Sequence, residues 1–288
     1  MTIISAKLVK ELRDETNVGM MECKRALVEA NGDKTLAIKI LRERGIAIAQ
    51  KKSTRSANQG VIASALLEGN RVGSLIEVNC ETDFVAKNEK FKAFVQNLAE
   101  RAAGAEINGA SRAINLAEAA AAEVTAKVAE IGENIVVRRT IRYALQGTGR
   151  VISYIHHGST TGVLLEVSCQ KAETADHPIF KELIKDLCLH IAASSPRFPD
   201  RQSVPADVIT AERNIFAKQI QGKPANIVGK IVDGKINSFY EQVCLVDQPF
   251  VKDQDKKVST LLKEKGKELD DLPMIRRFAR FQVGEMSA

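Results

Sequence analysis

Leu75-Ile76-Glu77-Val78-Asn79-Cys80 returns 89 positions later as Leu164-Leu165-Glu166-Val167-Ser168-Cys169. A match of this length within one chain marks an internal repeat. The register continues beyond it, with Phe91, Lys92, Leu98 and Ala103 opposite Phe180, Lys181, Leu187 and Ala192. Ahead of each hexapeptide an alternating run, Val61 to Leu67 or Val151 to Ile155, reads as a first strand, and Gly69-Asn70 or Gly158-Ser159 supplies the turn. A helix follows each hexapeptide. Each copy is thus a β-hairpin packed by a helix, and two copies predict an α+β core of two related halves.

Between the copies, Ala117 to Ile131 is rich in Ala and Glu and reads as a helix, while Asn134-Ile135-Val136-Val137-Arg138-Arg139 reads as a strand. After the second copy, Pro196, Pro199 and Pro205 punctuate the chain. Two helical runs, Ala206 to Gln221 and Ala225 to Tyr240, are then parted by Gly222-Lys223-Pro224, which predicts a helical hairpin. Its apolar stripes (Val208, Ile215, Ile220; Ile227, Ile231, Ile236) fit either each other or a second subunit. The last part returns to core-like material, helical over Val258 to Leu262 and strand-like over Arg277 to Phe281.

Ahead of the core, from Ser5 to Gly45, apolar residues fall at helical spacing: Leu8 and Leu12, then Met20, Cys23 and Leu27, then Leu36, Ile40 and Leu41. Three short helices are expected, broken at Thr16-Asn17-Val18-Gly19 and at Asn31-Gly32-Asp33. From Gln50 to Gly60 one apolar residue, Ala57, stands among polar ones, so an exposed linker is expected. Its Lys51, Lys52 and Arg55 suit plain solvation better than an RNA-contacting arm.

Composition sets the outer bounds. With 288 residues the chain exceeds an ordinary single domain, and 44% hydrophobic with 27% charged residues suits a folded globular chain. The net charge of +6 is spread along the sequence and names no partner. Five scattered cysteines without a C-x-x-C pair suggest neither a disulfide framework nor a zinc ribbon, and fit a reducing compartment. The first residues lack a basic stretch leading into an apolar run, and no segment reaches ~18 uninterrupted apolar residues. A cytoplasmic protein without membrane contact is expected.

The copies part where function could enter. After Cys80 the first reads Glu81-Thr82-Asp83-Phe84-Val85-Ala86-Lys87-Asn88; after Cys169 the second reads Gln170-Lys171-Ala172-Glu173-Thr174-Ala175-Asp176. A plain structural account exists: Thr82 or Asp83 caps the next helix and Phe84 fills the core.

These residues, with others, carry a resemblance to the bacterial elongation factor Ts family. The N-terminal part of the match is Leu8-Val9-Lys10-Glu11-Leu12-Arg13, Thr16, Gly19-Met20-Met21-Glu22-Cys23-Lys24-Arg25-Ala26-Leu27 and Asn31-Gly32-Asp33. The central part is Glu77 to Asn88, followed by Ile131-Gly132-Glu133-Asn134-Ile135, His157-Gly158, Gly222-Lys223-Pro224, Gln248-Pro249-Phe250-Val251 and Phe281-Gln282-Val283-Gly284-Glu285. Long motifs in the right order over nearly the whole chain are specific where one tetrapeptide is not.

The resemblance implies a three-helix N-terminal domain like a ubiquitin-associated domain over 1–54. It further implies a core of two subdomains over 55–146 and 147–288, and a helical hairpin inserted at about 200–240 that can form a homodimer. The implied activity is guanine-nucleotide exchange in protein biosynthesis. The partner would be elongation factor Tu, whose GDP and Mg²⁺ leave when a turn, here Thr82, Asp83, Phe84 and Val85, intrudes beside its nucleotide. Further implied contacts are Met20, Met21 and Lys24 on the N-terminal module, and His157 in the second hairpin turn. Apart from the resemblance, a Met-Met pair at a helix start fits core filling and His157 fits an exposed turn. Some family members continue past Val-Gly-Glu with another helical module, whereas this sequence stops at Met286-Ser287-Ala288, so that module's contacts are expected to be missing.

An enzyme would need a site, and the sequence has no G-x-x-x-x-G-K-[ST], H-E-x-x-H or G-x-S-x-G. His156, His157, His177 and His190 match no zinc spacing with Cys169 or Cys188, so no catalytic residue, metal or cofactor is expected. The alternative is a nucleic-acid-binding or scaffold module without exchange activity. Aromatics at 5%, no Trp and no RRM, KH or zinc-finger motif weigh against nucleic acid.

Overall fold

The computed structural model describes residues 4–105, 111–113, 116–220 and 225–285, with only the backbone course given for 111–113, 225 and 226. Gly222-Lys223-Pro224 and Met286-Ser287-Ala288 lie outside the described residues. Ser5 opens the first helix: its hydroxyl accepts the Leu8 N–H at 3.2 Å, and α1 (Ala6–Thr16) runs until Asn17 enters the left-handed region at φ 53°. α2 (Met20–Glu29) and α3 (Lys34–Lys52) follow, the latter capped by Asp33 on the Leu36 N–H. Leu12, Cys23, Leu27, Ala37 and Leu41 close a small core between the three. Spacing assigns Met20 and Leu36 to it as well, yet both are exposed. Cys23, Leu27, Ala37 and Leu41 already fill the inner stripe, and Met20 and Leu36 start their helices at its margin.

α3 reaches further than composition suggests. Ile48 and Ala49 near its end pack onto the next core, and β1 already begins at Gln59, so the expected linker from Gln50 to Gly60 shrinks to residues 53–58.

The first half of the core comprises β1 (Gln59–Leu67), β2 (Val72–Cys80), α4 (Asp83–Lys87), α5 (Glu89–Gly104), β3 (Ser111–Ala113), α6 (Leu116–Ala119), α7 (Ala121–Ile131) and β4 (Val136–Ala144). Its antiparallel sheet has the order β1-β2-β4-β3. The helix expected over Ala117 to Ile131 breaks at Ala120, and the strand expected from Asn134 starts at Val136. The second half comprises β5 (Gly149–Ile155), β6 (Thr161–Ser168), α8 (Ala172–Asp176), α9 (Pro178–Ser194), the hairpin α10 (Ala206–Gln219) and α11 (Ala225–Val243), and a 3₁₀ turn Leu245–Asp247. It ends with β7 (Pro249–Phe250), β8 (Asp253–Lys257), α12 (Val258–Leu269) and β9 (Met274–Gln282). Its main sheet is β5-β6-β9.

Every residue of β2 is buried, because the strand is covered on both faces. Ile76, Val78 and Cys80 face the helix side with Phe91, Val95 and Leu98; Leu75 faces the other half with Val151 and Leu164. Contacts between the halves are reciprocal, as across an isologous interface. The Ile62 N–H donates to Ser159 O at 2.7 Å and the Val151 N–H to Asn70 O at 2.8 Å. The Arg139 guanidinium lies 4.3 Å from the Phe281 ring, and that of Arg277 lies 4.3 Å from the Tyr143 ring. Ser64 meets its counterpart Ser153 at 2.9 Å. A Cβ on Gly73 would fall 2.7 Å from Val151, and one on Gly162 would fall 2.5 Å from Ile62, so both positions need glycine for the sheets to approach. Glu77, buried on the inner face, is paired with Arg139 at 2.7 Å, and Glu166 likewise with Arg277.

In the hairpin, Val208, Ile209 and Phe216 pack with Phe239 and Val243. Ile236 is buried, whereas Ile215 and Ile227 are exposed. Ile215 stands one residue, about 100° of helix, from Phe216 and so turns away from the contact. No described helix is long and apolar enough to cross a membrane, and all five cysteines are free and buried.

Candidate functional site

β2 leaves the core at Cys80 and the chain turns at once into α4. Thr82 is extended (φ −120°, ψ 154°) and caps this helix, its Oγ1 accepting the Val85 N–H at 3.3 Å. The Cys80 thiol donates to Thr82 O at 3.3 Å, and burial together with the nearby Glu133 carboxylate pushes it up to about 12, so it is no nucleophile. Asp83 sits in the first turn, where the helix dipole favours a negative charge; the hydrogen bond from Lys87 Nζ at 2.6 Å lowers its carboxyl below the usual range.

Phe84 is 81% exposed. The core-filling account of this residue is therefore overturned, while the capping account of Thr82 holds. The reason is local: α4 has five residues, and Val85 and Ala86 already supply its contact with the core. The turn is braced from α7. Glu133, one residue past Gly132 (φ 81°), accepts the N–H groups of Glu81 and Thr82 at 3.0 Å each and the Thr82 hydroxyl at 2.6 Å. Glu81 returns the contact by accepting the Asn134 N–H at 2.7 Å, which with Arg55 holds its carboxyl low. Spacing alone could not single out Glu133 within Ile131-Gly132-Glu133-Asn134, because its partners lie 51 and 52 positions away.

The remaining candidates lie on other elements. Met20 (44% exposed) and Met21 (61%) stand with exposed Lys24 on the first turn of α2, so core filling does not explain the Met pair. His157 is exposed in the β5–β6 turn, where Gly158 takes φ 88°. The structure thus gathers Thr82, Asp83, Phe84 and Val85 into one turn and leaves the α2 group and His157 at separate places.

The Elongation factor TS family model matches residues 81–285, from this turn through the rest of the first half and the second half of the core. The chain is 42% identical to Elongation factor Ts of Clostridium perfringens over 291 aligned residues, covering 98% of this chain and 94% of the relative. It is 43% identical to the Elongation factor Ts of a Nitratiruptor species and 40% identical to that of Trichlorobacter lovleyi, each over 98% of this chain and 93% of the relative. The chain belongs to the elongation factor Ts family.

Away from this turn, the buried histidine of the second half is occupied structurally. His190 is buried, with Nδ1 accepting the Val251 N–H at 3.1 Å and Nε2 3.0 Å from Gln248 Oε1. Burial lowers its pKa, so it ties the Gln248-Pro249-Phe250-Val251 segment to α9 as a neutral ring. Among the described residues no three or more His, Cys, Asp and Glu side chains are grouped to hold a metal.

Proposed function

We propose that this chain is a guanine-nucleotide exchange factor that binds elongation factor Tu in its GDP form and promotes release of GDP and Mg²⁺. The observation that carries this reading is Phe84, a large aromatic held 81% exposed on a capped and braced turn. A free Phe side chain forgoes ~1.5–3 kcal/mol of burial and serves nothing inside the chain that holds it. On a partner it becomes a wedge.

Nucleotide grip in a GTPase rests on a phosphate cradle and on octahedral Mg²⁺, both intolerant of small displacements. Phe84 enters between packed elements of the partner and shifts them between discrete arrangements, on a turn that Thr82 caps and Val85 seats on this chain's own core; Asp83 beside it meets the polar groups that support the metal. Each ~1.4 kcal/mol by which this chain prefers the nucleotide-free partner weakens nucleotide affinity about tenfold, by reciprocity of linked equilibria. No covalent step or cofactor is involved. Met20, Met21 and Lys24 on a ubiquitin-associated-like module (1–54) anchor the partner, and His157 touches it from the second subdomain (147–288). The first subdomain (55–146) carries the wedge, and the hairpin supports self-association in the cytoplasm.

Stopped-flow release of a fluorescent GDP analogue from elongation factor Tu tests the reading. Substoichiometric chain accelerates release, because new nucleotide displaces the factor and frees it for another round. A release rate unmoved over a wide range of factor concentration refutes it.

A further inference from the structure

Phe84 has no packing of its own to fix its direction, and α4, at five residues without a buried member, is far too short to persist as an isolated helix. Something outside α4 must set the wedge. We infer that Glu133 is the positioning residue of the exchange turn, acting through the Thr82 hydroxyl.

Proton bookkeeping at Thr82 supports this. A threonine hydroxyl has one proton and two lone pairs. Here the proton goes to Glu133 Oε1 at 2.6 Å, which leaves Oγ1 free to accept the Val85 N–H that starts α4. Glu133 Oε2 meanwhile takes the two backbone N–H groups at 81 and 82, so a single carboxylate fixes both the chain entering the cap and the rotamer of the cap itself. Hydrogen bonds to an ionised acceptor are about twice as strong as neutral ones.

The second half provides an internal control. Asp271 accepts the N–H groups of Gln170 and Lys171 at 2.8 and 3.0 Å, so a carboxylate brace under the turn belongs to both halves. There, however, Asp271 takes the Thr174 hydroxyl inside α8 rather than one at the cap, Lys171 stands at the cap with no side-chain hydrogen bond to α8, and no large apolar residue follows it in the turn. The carboxylate-to-hydroxyl-to-cap relay occurs in the half that presents Phe84. The same loop also holds the connection to the three-helix region: Lys52 Nζ donates to Gly132 O at 2.6 Å and Asn134 Nδ2 to Arg55 O at 2.8 Å. Glu133 is thus set in a loop fastened on both sides and is itself a firm support.

This inference rests on the exchange reading of the turn, so its test needs a readout that does not depend on exchange. Glu133→Gln and Thr82→Val are compared with wild type and with Phe84→Ala in the full chain, by amide hydrogen exchange at residues 81, 82 and 85 and by GDP release at saturating factor. Expected is about tenfold faster amide exchange at all three positions in Glu133→Gln and at residue 85 in Thr82→Val, with the α5 amides unchanged, as for local opening of a small unit. Saturated GDP release falls with it, while the factor concentration giving half-maximal release moves little. Thr82→Ser, which keeps the hydroxyl, retains wild-type amide protection.

Unchanged amide exchange in Glu133→Gln and Thr82→Val overturns the inference, as does faster amide exchange with full GDP release while Phe84→Ala is slow. Should Phe84→Ala itself release GDP like wild type, the exchange reading of the turn fails; the amide data then decide by themselves whether Glu133 positions it.

Discussion

The turns after β2 and after β6 stand on matching supports and present different surfaces. In each, a buried cysteine donates its thiol to the carbonyl two residues on: Cys80 to Thr82, Cys169 to Lys171, both at 3.3 Å. In each, a carboxylate from the segment leading into the third strand gathers two backbone N–H groups, and a five-residue helix leads into a long one with a fully buried phenylalanine, Phe91 or Phe180. Then they diverge. Thr82 caps its helix and Lys171 does not; Phe84 stands in solvent where the second turn has exposed Glu173. Since the second turn folds without an aromatic at that position, the scaffold does not demand one. Phe84 is a residue the fold tolerates rather than requires, which is what the exchange proposal needs of a wedge.

The sharpest way to break the comparison is to write the second turn into the first, with Thr82→Lys, Asp83→Ala, Phe84→Glu and Val85→Thr together. The expected outcome is a folded chain whose presence leaves GDP release from elongation factor Tu at its spontaneous rate. Near-normal exchange by the transplant would make the two turns interchangeable and end the argument.

Next in size is the contrast among phenylalanines. Phe91→Ala and Phe180→Ala each lose ~3–5 kcal/mol in chemical denaturation, as emptied core positions do. Phe84→Ala loses under ~1 kcal/mol and slows saturated exchange instead. A large stability loss at Phe84 would place it in the core after all.

The acid response probes the brace of the second turn. Burial by itself would raise the Asp271 carboxyl, but hydrogen bonds from Thr174 and from the N–H groups of Lys171, Gln170 and Leu272 outweigh it and hold the group down at about 2. A folded value below the unfolded one means stability that is present above the ordinary carboxylate range and lost as pH falls toward that value. Thermal melts of wild type and Asp271→Asn should converge as pH drops from about 4 toward 2. Parallel curves would show that Asp271 carries no such linkage.

The smallest effect lies where the halves meet. Ser64→Ala or Ser153→Ala costs ~1 kcal/mol, and the double variant costs no more than either single one, because both remove the same bond. Strict additivity in urea melts would mean that the two hydroxyls do not interact.

The two hairpins and most helix ends were legible in the sequence, because they depend on near neighbours. Gly69-Asn70 and Gly158-Ser159 do sit at positive φ in the hairpin turns, and Asn17 and Asp33 do stop and start helices. The structure departs from the local pattern where a distant partner sets the boundary. α3 outran its expected end because Ile48 and Ala49 find the first core, and Ile215 left the hairpin stripe because Phe216 took the contact.

Sequence by itself thus determined the family, the α+β class and the place in the chain where the copies diverge, since motif order, alternation and capping residues are properties of the string. Tertiary structure decided which way Phe84 points. An aromatic next to a buried strand reads as core from composition alone. It is exposed here because α4 is short, because Val85 and Ala86 already make its contact with the core, and because Glu133, 51 residues beyond Thr82, holds the turn by bonds that no local pattern encodes.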